Sequence, residues 1–79
     1  MELKEIKSII MEKIKLRDDF IKLGQALKAA GLVDSGVEAK IVIQEGLVKV
    51  NGEVETQRGK KLTGGEIISF NTQEIQIEK

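Results

Sequence analysis

The chain contains neither cysteine nor histidine, and these two absences remove most of the usual routes to chemistry. Without cysteine there is no disulfide and no thiolate metal site. Without histidine there is no imidazole base, so a nucleophile–histidine pair cannot be assembled. Aromatic residues are nearly missing as well: two phenylalanines, no tyrosine and no tryptophan. Little is left on which splayed bases could stack, which disfavours single-strand readers of the RRM and OB kinds. No apolar run approaches the roughly 20 residues that cross a bilayer. The Lys- and Glu-rich N-terminal stretch has no signal-peptide core or cleavage site, so a cytoplasmic location away from membranes is expected. Net charge is also missing, with Lys plus Arg at 13 and Asp plus Glu at 13. Bulk charge therefore cannot hold this chain to a polyanion, and phosphate affinity would require uneven placement of the cations.

What is present suits one small folded domain. The 79 residues are 41% apolar and 33% charged, and a domain of this size buries only about 60% of its unfolded surface. Leu3, Ile6, Ile10 and Ile14 recur at helical spacing, whereas Lys13-Ile14-Lys15-Leu16 alternates like a strand. A short helix or arm is expected over Glu2 to Met11. An extended stretch then leads to Ile21, with a turn at Arg17-Asp18-Asp19. Leu23, Ala26, Leu27 and Ala30 fall at i, i+3, i+4 and i+7 and predict a helix that Gly31 stops, with Gln25 and Lys28 on its other face. Ser35-Gly36-Val37-Glu38 has the S-x-x-E pattern of a capping box. It predicts a second helix to Glu45, ending at Gly46, with Ala39, Val42 and Ile43 facing the core. Beyond Gly46 the period changes to that of strands. Asn51-Gly52 predicts a hairpin between Leu47–Val50 and Glu53–Glu55. A strict two-residue loop would set Val50 opposite Glu53 and mix the faces, so a bulge or a longer loop is an alternative. Gln57–Lys61 is polar and basic, Gly64-Gly65 turns, and strands follow over Ile67–Phe70 and through Ile75 and Ile77.

Two features could carry binding. Gly36, Lys40 and Gln44 form a stripe from the start of helix two, where backbone N–H groups and a lysine could meet phosphate. A solvated helix face is the plainer explanation. Arg58-Gly59-Lys60-Lys61 is the densest positive cluster, with Lys49 on the preceding hairpin able to join it, although a solvated loop would look the same. Between Phe20 and Phe70 seven basic residues face six acidic ones, so a site requires segregation of charge onto faces. With so few aromatics, any RNA ligand should be structured and read through its backbone. Glu53 and Glu55 are the closest approach to a carboxylate pair, and exposed hairpin charges explain them better than catalysis does.

The runs Leu23-Gly24-Gln25-Ala26-Leu27-Lys28, Ser35-Gly36-Val37-Glu38-Ala39-Lys40 and Glu45-Gly46-Leu47-Val48-Lys49-Val50-Asn51-Gly52 together resemble the S4 RNA-binding domain. Arg58-Gly59-Lys60-Lys61-Leu62 and Gly64-Gly65-Glu66 resemble the small stand-alone S4-like proteins of the YaaA and YbcJ type. The resemblance runs from about Lys13 to Ile77. It implies an α+β fold of the αL type, with two short helices packed on a small, mostly antiparallel curved sheet. Residues 13–79 would form the domain and residues 1–12 an N-terminal arm or short helix. It further implies RNA contacts at Ser35, Lys40, Lys49, Arg58, Lys60 and Lys61, joined by Lys28 and Gln44. Structured RNA, ribosomal RNA or an assembly intermediate in particular, would be the partner of a monomer without cofactor, metal or catalysis.

The chain departs from the broader pattern at three places. Gly36 and Val37 stand where one or two arginines would follow the serine, although small stand-alone members tolerate glycine there. Glu66 replaces an aspartate, and Lys22 occupies a position where a capping Ser or Thr would help helix one. These departures imply weak or partner-assisted RNA binding. The rival reading is a module that docks on a ribosomal or other cytoplasmic protein. For that role Val37 and Ile41, off the core face of helix two, would form an apolar patch unless the N-terminal arm covers them.

Overall fold

Local capping chemistry sets three of the four helix ends in the computed structural model, which describes residues 10–79. Helix α1 spans Leu23–Ala29 and helix α2 spans Gly36–Gln44. Ser35 Oγ accepts the Glu38 N–H at 3.1 Å. The reciprocal bond of the box reaches one residue further back than expected, with the Asp34 N–H donating to Glu38 Oε1 at 2.8 Å. Both helices end in a Schellman motif. Gly31 N–H donates to Lys28 O and Leu32 N–H to Leu27 O; Gly46 N–H donates to Ile43 O and Leu47 N–H to Val42 O. These bonds satisfy carbonyls that the last turn would otherwise leave open.

The strands are β1 Ile10–Lys15, β2 Ile21–Lys22, β3 Lys49–Val50, β4 Glu53–Val54, β5 Lys61–Leu62, β6 Ile67–Phe70 and β7 Gln73–Glu78. Five form one sheet in the order β1-β7-β6-β3-β4, and β2 pairs with β5 in a separate two-stranded ribbon. Among the described residues every pairing is antiparallel except β1 with β7, which run parallel with Ile14 opposite Ile77. The architecture is thus α+β with a mostly antiparallel sheet, as the sequence pattern implies.

Local patterns misplace two features and leave the register of a third open. Ile10 and Met11 belong to strand β1 rather than to a helix, because Ile10 pairs with Gln73 and Met11 with Glu74. The remainder of the expected arm, residues 1–9, lies outside the described residues. The hairpin keeps the strict two-residue loop, with Val50 opposite Glu53 and Lys49 opposite Val54, and needs no bulge. Asn51 and Gly52 both take positive φ, 53° and 86°, the combination of a type I′ turn. The mixed faces are tolerated because β4 is an edge strand, where Glu53 and Val54 are both exposed while Val50 on the inner strand is buried. Lys61, read as part of a loop, is the first residue of β5, which pairs with β2.

That ribbon brings Leu62 into the core. Leu62 is fully buried with Leu23, Leu27, Ala39, Ile43, Val48, Ile68 and Ile77, and Ile14, Leu16, Ile21, Val42 and Phe70 pack around this cluster. Next along the chain, Glu66 holds the turn after β5. Its carboxylate accepts the Thr63 N–H at 2.9 Å and the Gly64 N–H at 2.8 Å. Burial pushes its pKa up, but the N–H bonds from Thr63, Gly64 and its own backbone, with the Thr63 hydroxyl, outweigh this and bring it below the ordinary 4.5.

Two outcomes are expected. Leu62→Ala should cost about 2–5 kcal/mol, as other buried Leu truncations do, measured by urea unfolding; a loss under about 1 kcal/mol would show that β5 is not tied to the core. Glu66 has a lowered folded pKa, so its contribution is fully present above the unfolded value and is lost as pH falls through the folded one. Unfolding of Glu66→Gln, followed from pH 7 to pH 3, should therefore lose less stability than the parent below about pH 4.5; parallel profiles would contradict this.

Candidate nucleic-acid interface

The first turn of a helix has N–H groups without intrahelical acceptors, and α1 begins at Lys22, whose side chain cannot accept. Gln25 Oε1 accepts the Lys22 N–H at 3.2 Å. The next two donors find acceptors 37 and 34 residues away. Leu23 N–H donates to the Lys60 carbonyl at 2.8 Å and Gly24 N–H to the Arg58 carbonyl at 3.1 Å. The basic loop thereby substitutes for the missing cap. Gly24 permits the approach, since a Cβ at this position would lie 2.6 Å from Arg58 Cγ.

Docking the loop on α1 opens a groove of ≈ 390 Å³ lined by Lys22, Gly24, Gln25, Lys28, Gly36, Arg58 and Gly59. Among the described residues three cations and no carboxylate line it, and Gly36 and Gly59 are exposed there while Gly24 is buried beneath Arg58. Local segregation of charge is therefore present although the whole chain is neutral. Such a surface suits a row of phosphates better than one compact anion, because its charges sit on two elements flanking an open trough.

The structure divides the residues singled out from sequence. Lys28 and Arg58 meet in this groove. Ser35 stands just ahead of Gly36, its oxygen occupied by the Glu38 N–H and its hydroxyl hydrogen still able to donate. Lys40 and Gln44 are exposed on α2, and Lys49 is exposed on β3 beside Val54 and Ser69; none of the three lines the groove. Lys60 and Lys61 open onto a different depression, shared with Glu53, Glu55 and Glu66, and the Lys61 ammonium lies 4.8 Å from the centre of the Phe20 ring. Carboxylates next to these two lysines reduce the positive potential there.

Lys22 and Gln25 line the groove but were not among the candidates from sequence. Their signal was available: Lys22, Gln25 and Lys28 recur every three residues, a spacing that puts them on one side of a helix. The apolar residues Val37 and Ile41 are exposed on α2, and the arm offered as their cover lies outside the described residues. Among the described residues, no helix is long and apolar enough to cross a membrane.

Comparison with known proteins agrees with this fold. A family model described as the S4 domain matches residues 14–78. YbcJ of Escherichia coli (strain K12), which carries a provisional RNA-binding name, is 42% identical over 57 residues, covering 72% of this chain and 81% of that protein. RlbA of Bacillus subtilis (strain 168), named a probable ribosome maturation protein, is 40% identical over 57 residues, covering 72% and 80%. The solution structure of Escherichia coli YbcJ, described as revealing an αL motif involved in RNA-binding, superimposes with a TM-score of 0.67 at 30% identity and covers 100% of this chain and 99% of that one.

Proposed function

Because this chain belongs to the S4 domain family, we propose that it binds structured RNA, without catalysis, by gripping the phosphate backbone in the groove between α1, the start of α2 and the Arg58–Gly59 loop. The observation that carries this reading is the groove itself, with Lys22, Lys28 and Arg58 around three glycines and no acid. Each cation can make a charge-assisted bond to a phosphate oxygen, and the guanidinium can do so with two. Ser35, Lys40, Gln44, Lys49, Lys60 and Lys61 lie outside this trough and serve as flanking contacts for a larger RNA. The setting is ribosomal RNA or a ribosome assembly intermediate, by analogy with the relative named for ribosome maturation. The protein acts as a cytoplasmic monomer and needs no cofactor. Docking on a ribosomal protein is a second reading, favoured by the exposed Val37 and Ile41 one turn apart on α2.

The test is fluorescence anisotropy with ribosomal RNA fragments at several salt concentrations. Each phosphate contact contributes about 0.7–0.9 to the slope of log K against log salt. The triple variant Lys22→Ala, Lys28→Ala, Arg58→Ala should lower that slope by roughly 2–3 and weaken all RNA sequences alike. The variant Lys40→Ala, Lys60→Ala, Lys61→Ala should lose less affinity. Equal or greater loss in the second variant would move the site away from the groove.

A further inference from the structure

A second groove lies on the other side of Gln25. It measures ≈ 540 Å³ and is lined by Lys13, Lys15, Arg17 and Asp18 from β1 and the turn after it, by Phe20 and Ile21, and by the half-buried Leu16 and the exposed Ala29. Its size falls within the range of small-molecule pockets, roughly 300–1,000 Å³. Its chemistry differs from that of the first groove. The first is polar backbone between cations; this one adds apolar surface and an aromatic ring. Phe20 is 37% exposed, unusual for one of only two aromatic residues in a small domain with a thin core. The Lys61 ammonium over the ring fixes its position. Gln25 lines both grooves, and with its Oε1 engaged by the Lys22 N–H its amide hydrogens remain as donors on the ridge between them.

We propose that this second groove takes one unpaired nucleotide of the bound RNA, so that the ligand is a junction where a double-helical stretch gives way to single strand. The base lies against Phe20, Leu16 and Ala29. Its phosphate meets Lys15 and Arg17, since Lys13 is already 3.5 Å from Glu78. Asp18, the one acid among the described residues lining the groove, accepts from an exocyclic amine and discourages a second phosphate there. The adjoining duplex strand continues past Gln25 into the groove of Lys22, Lys28 and Arg58. This inference rests on the RNA reading above and narrows the ligand from any structured RNA to one with an unpaired residue at a helix end.

The test compares two labelled RNA hairpins, one blunt and one with a two-nucleotide overhang, by anisotropy at constant salt. One base stacked on an aromatic side chain is worth about fivefold or more in affinity, so the overhang form should bind the intact protein at least that much better. Phe20→Ala should bring the two hairpins to within about twofold of each other while leaving the blunt one unchanged, and Phe20→Tyr should keep the preference. Lys15→Ala with Arg17→Ala should weaken the overhang form more than the blunt form. Equal binding of both hairpins by the intact protein, or equal loss on both in Phe20→Ala, overturns the inference. If blunt RNA still responds to Arg58→Ala, only the junction claim has failed. If neither hairpin binds, the RNA reading has failed with it.

Discussion

Two backbone hydrogen bonds at the start of α1 hold the candidate binding face together. Leu23 and Gly24 present N–H groups that no residue of the helix can accept, and the carbonyls of Lys60 and Arg58 accept them. A glycine inside a helix costs about 1 kcal/mol relative to alanine. Here it is tolerated because a Cβ would strike the Arg58 side chain. The contact has three consequences along the chain. It caps a helix that lacks a capping side chain. It carries β5 alongside β2 so that Leu62 enters the core. It also places Arg58 and Gly59 against the α1 face that presents Lys22 and Lys28. Stability and the arrangement of charge thus share one cause.

The electrostatics follow from that arrangement rather than from composition. A chain with equal numbers of acids and bases has no field to steer a polyanion from a distance. What remains is short-range: a trough in which cations outnumber acids three to none, beside a depression in which Lys60 and Lys61 share space with three carboxylates. One of those, Glu66, is kept charged by the turn it stabilises. Binding of this kind should be modest and sensitive to geometry, because moving one loop removes a third of the charge.

The sequence announced whatever depends on neighbours within four residues. Caps, glycine stops and the Asn51-Gly52 turn are local devices, and the helices and hairpin stand where their patterns put them. Long-range pairing left no such trace. Parallel β1–β7 pairing joins segments more than 60 residues apart, and alternation in Lys13–Leu16 announces a strand without naming its partner. Leu62 looked like one apolar residue after a basic loop, since its burial depends on the ribbon with β2. The site was legible in the same uneven way. Resemblance and charge density pointed to Arg58 and Lys28, which meet in the groove. The same density put Lys60 and Lys61 with them, but that pair opens onto the depression of Glu53, Glu55 and Glu66. Lys22 was read only as a poor cap, although the same position makes it the first cation of the trough.

The most direct measurement is an amide ¹H–¹⁵N titration of the protein with an RNA hairpin. If the trough grips the backbone, the largest shifts should fall on Lys22 to Lys28, Ser35 and Gly36, and Arg58 to Lys60, and added salt should reverse them. Shifts concentrated on β3, β4 and the exposed face of α2 would contradict the account.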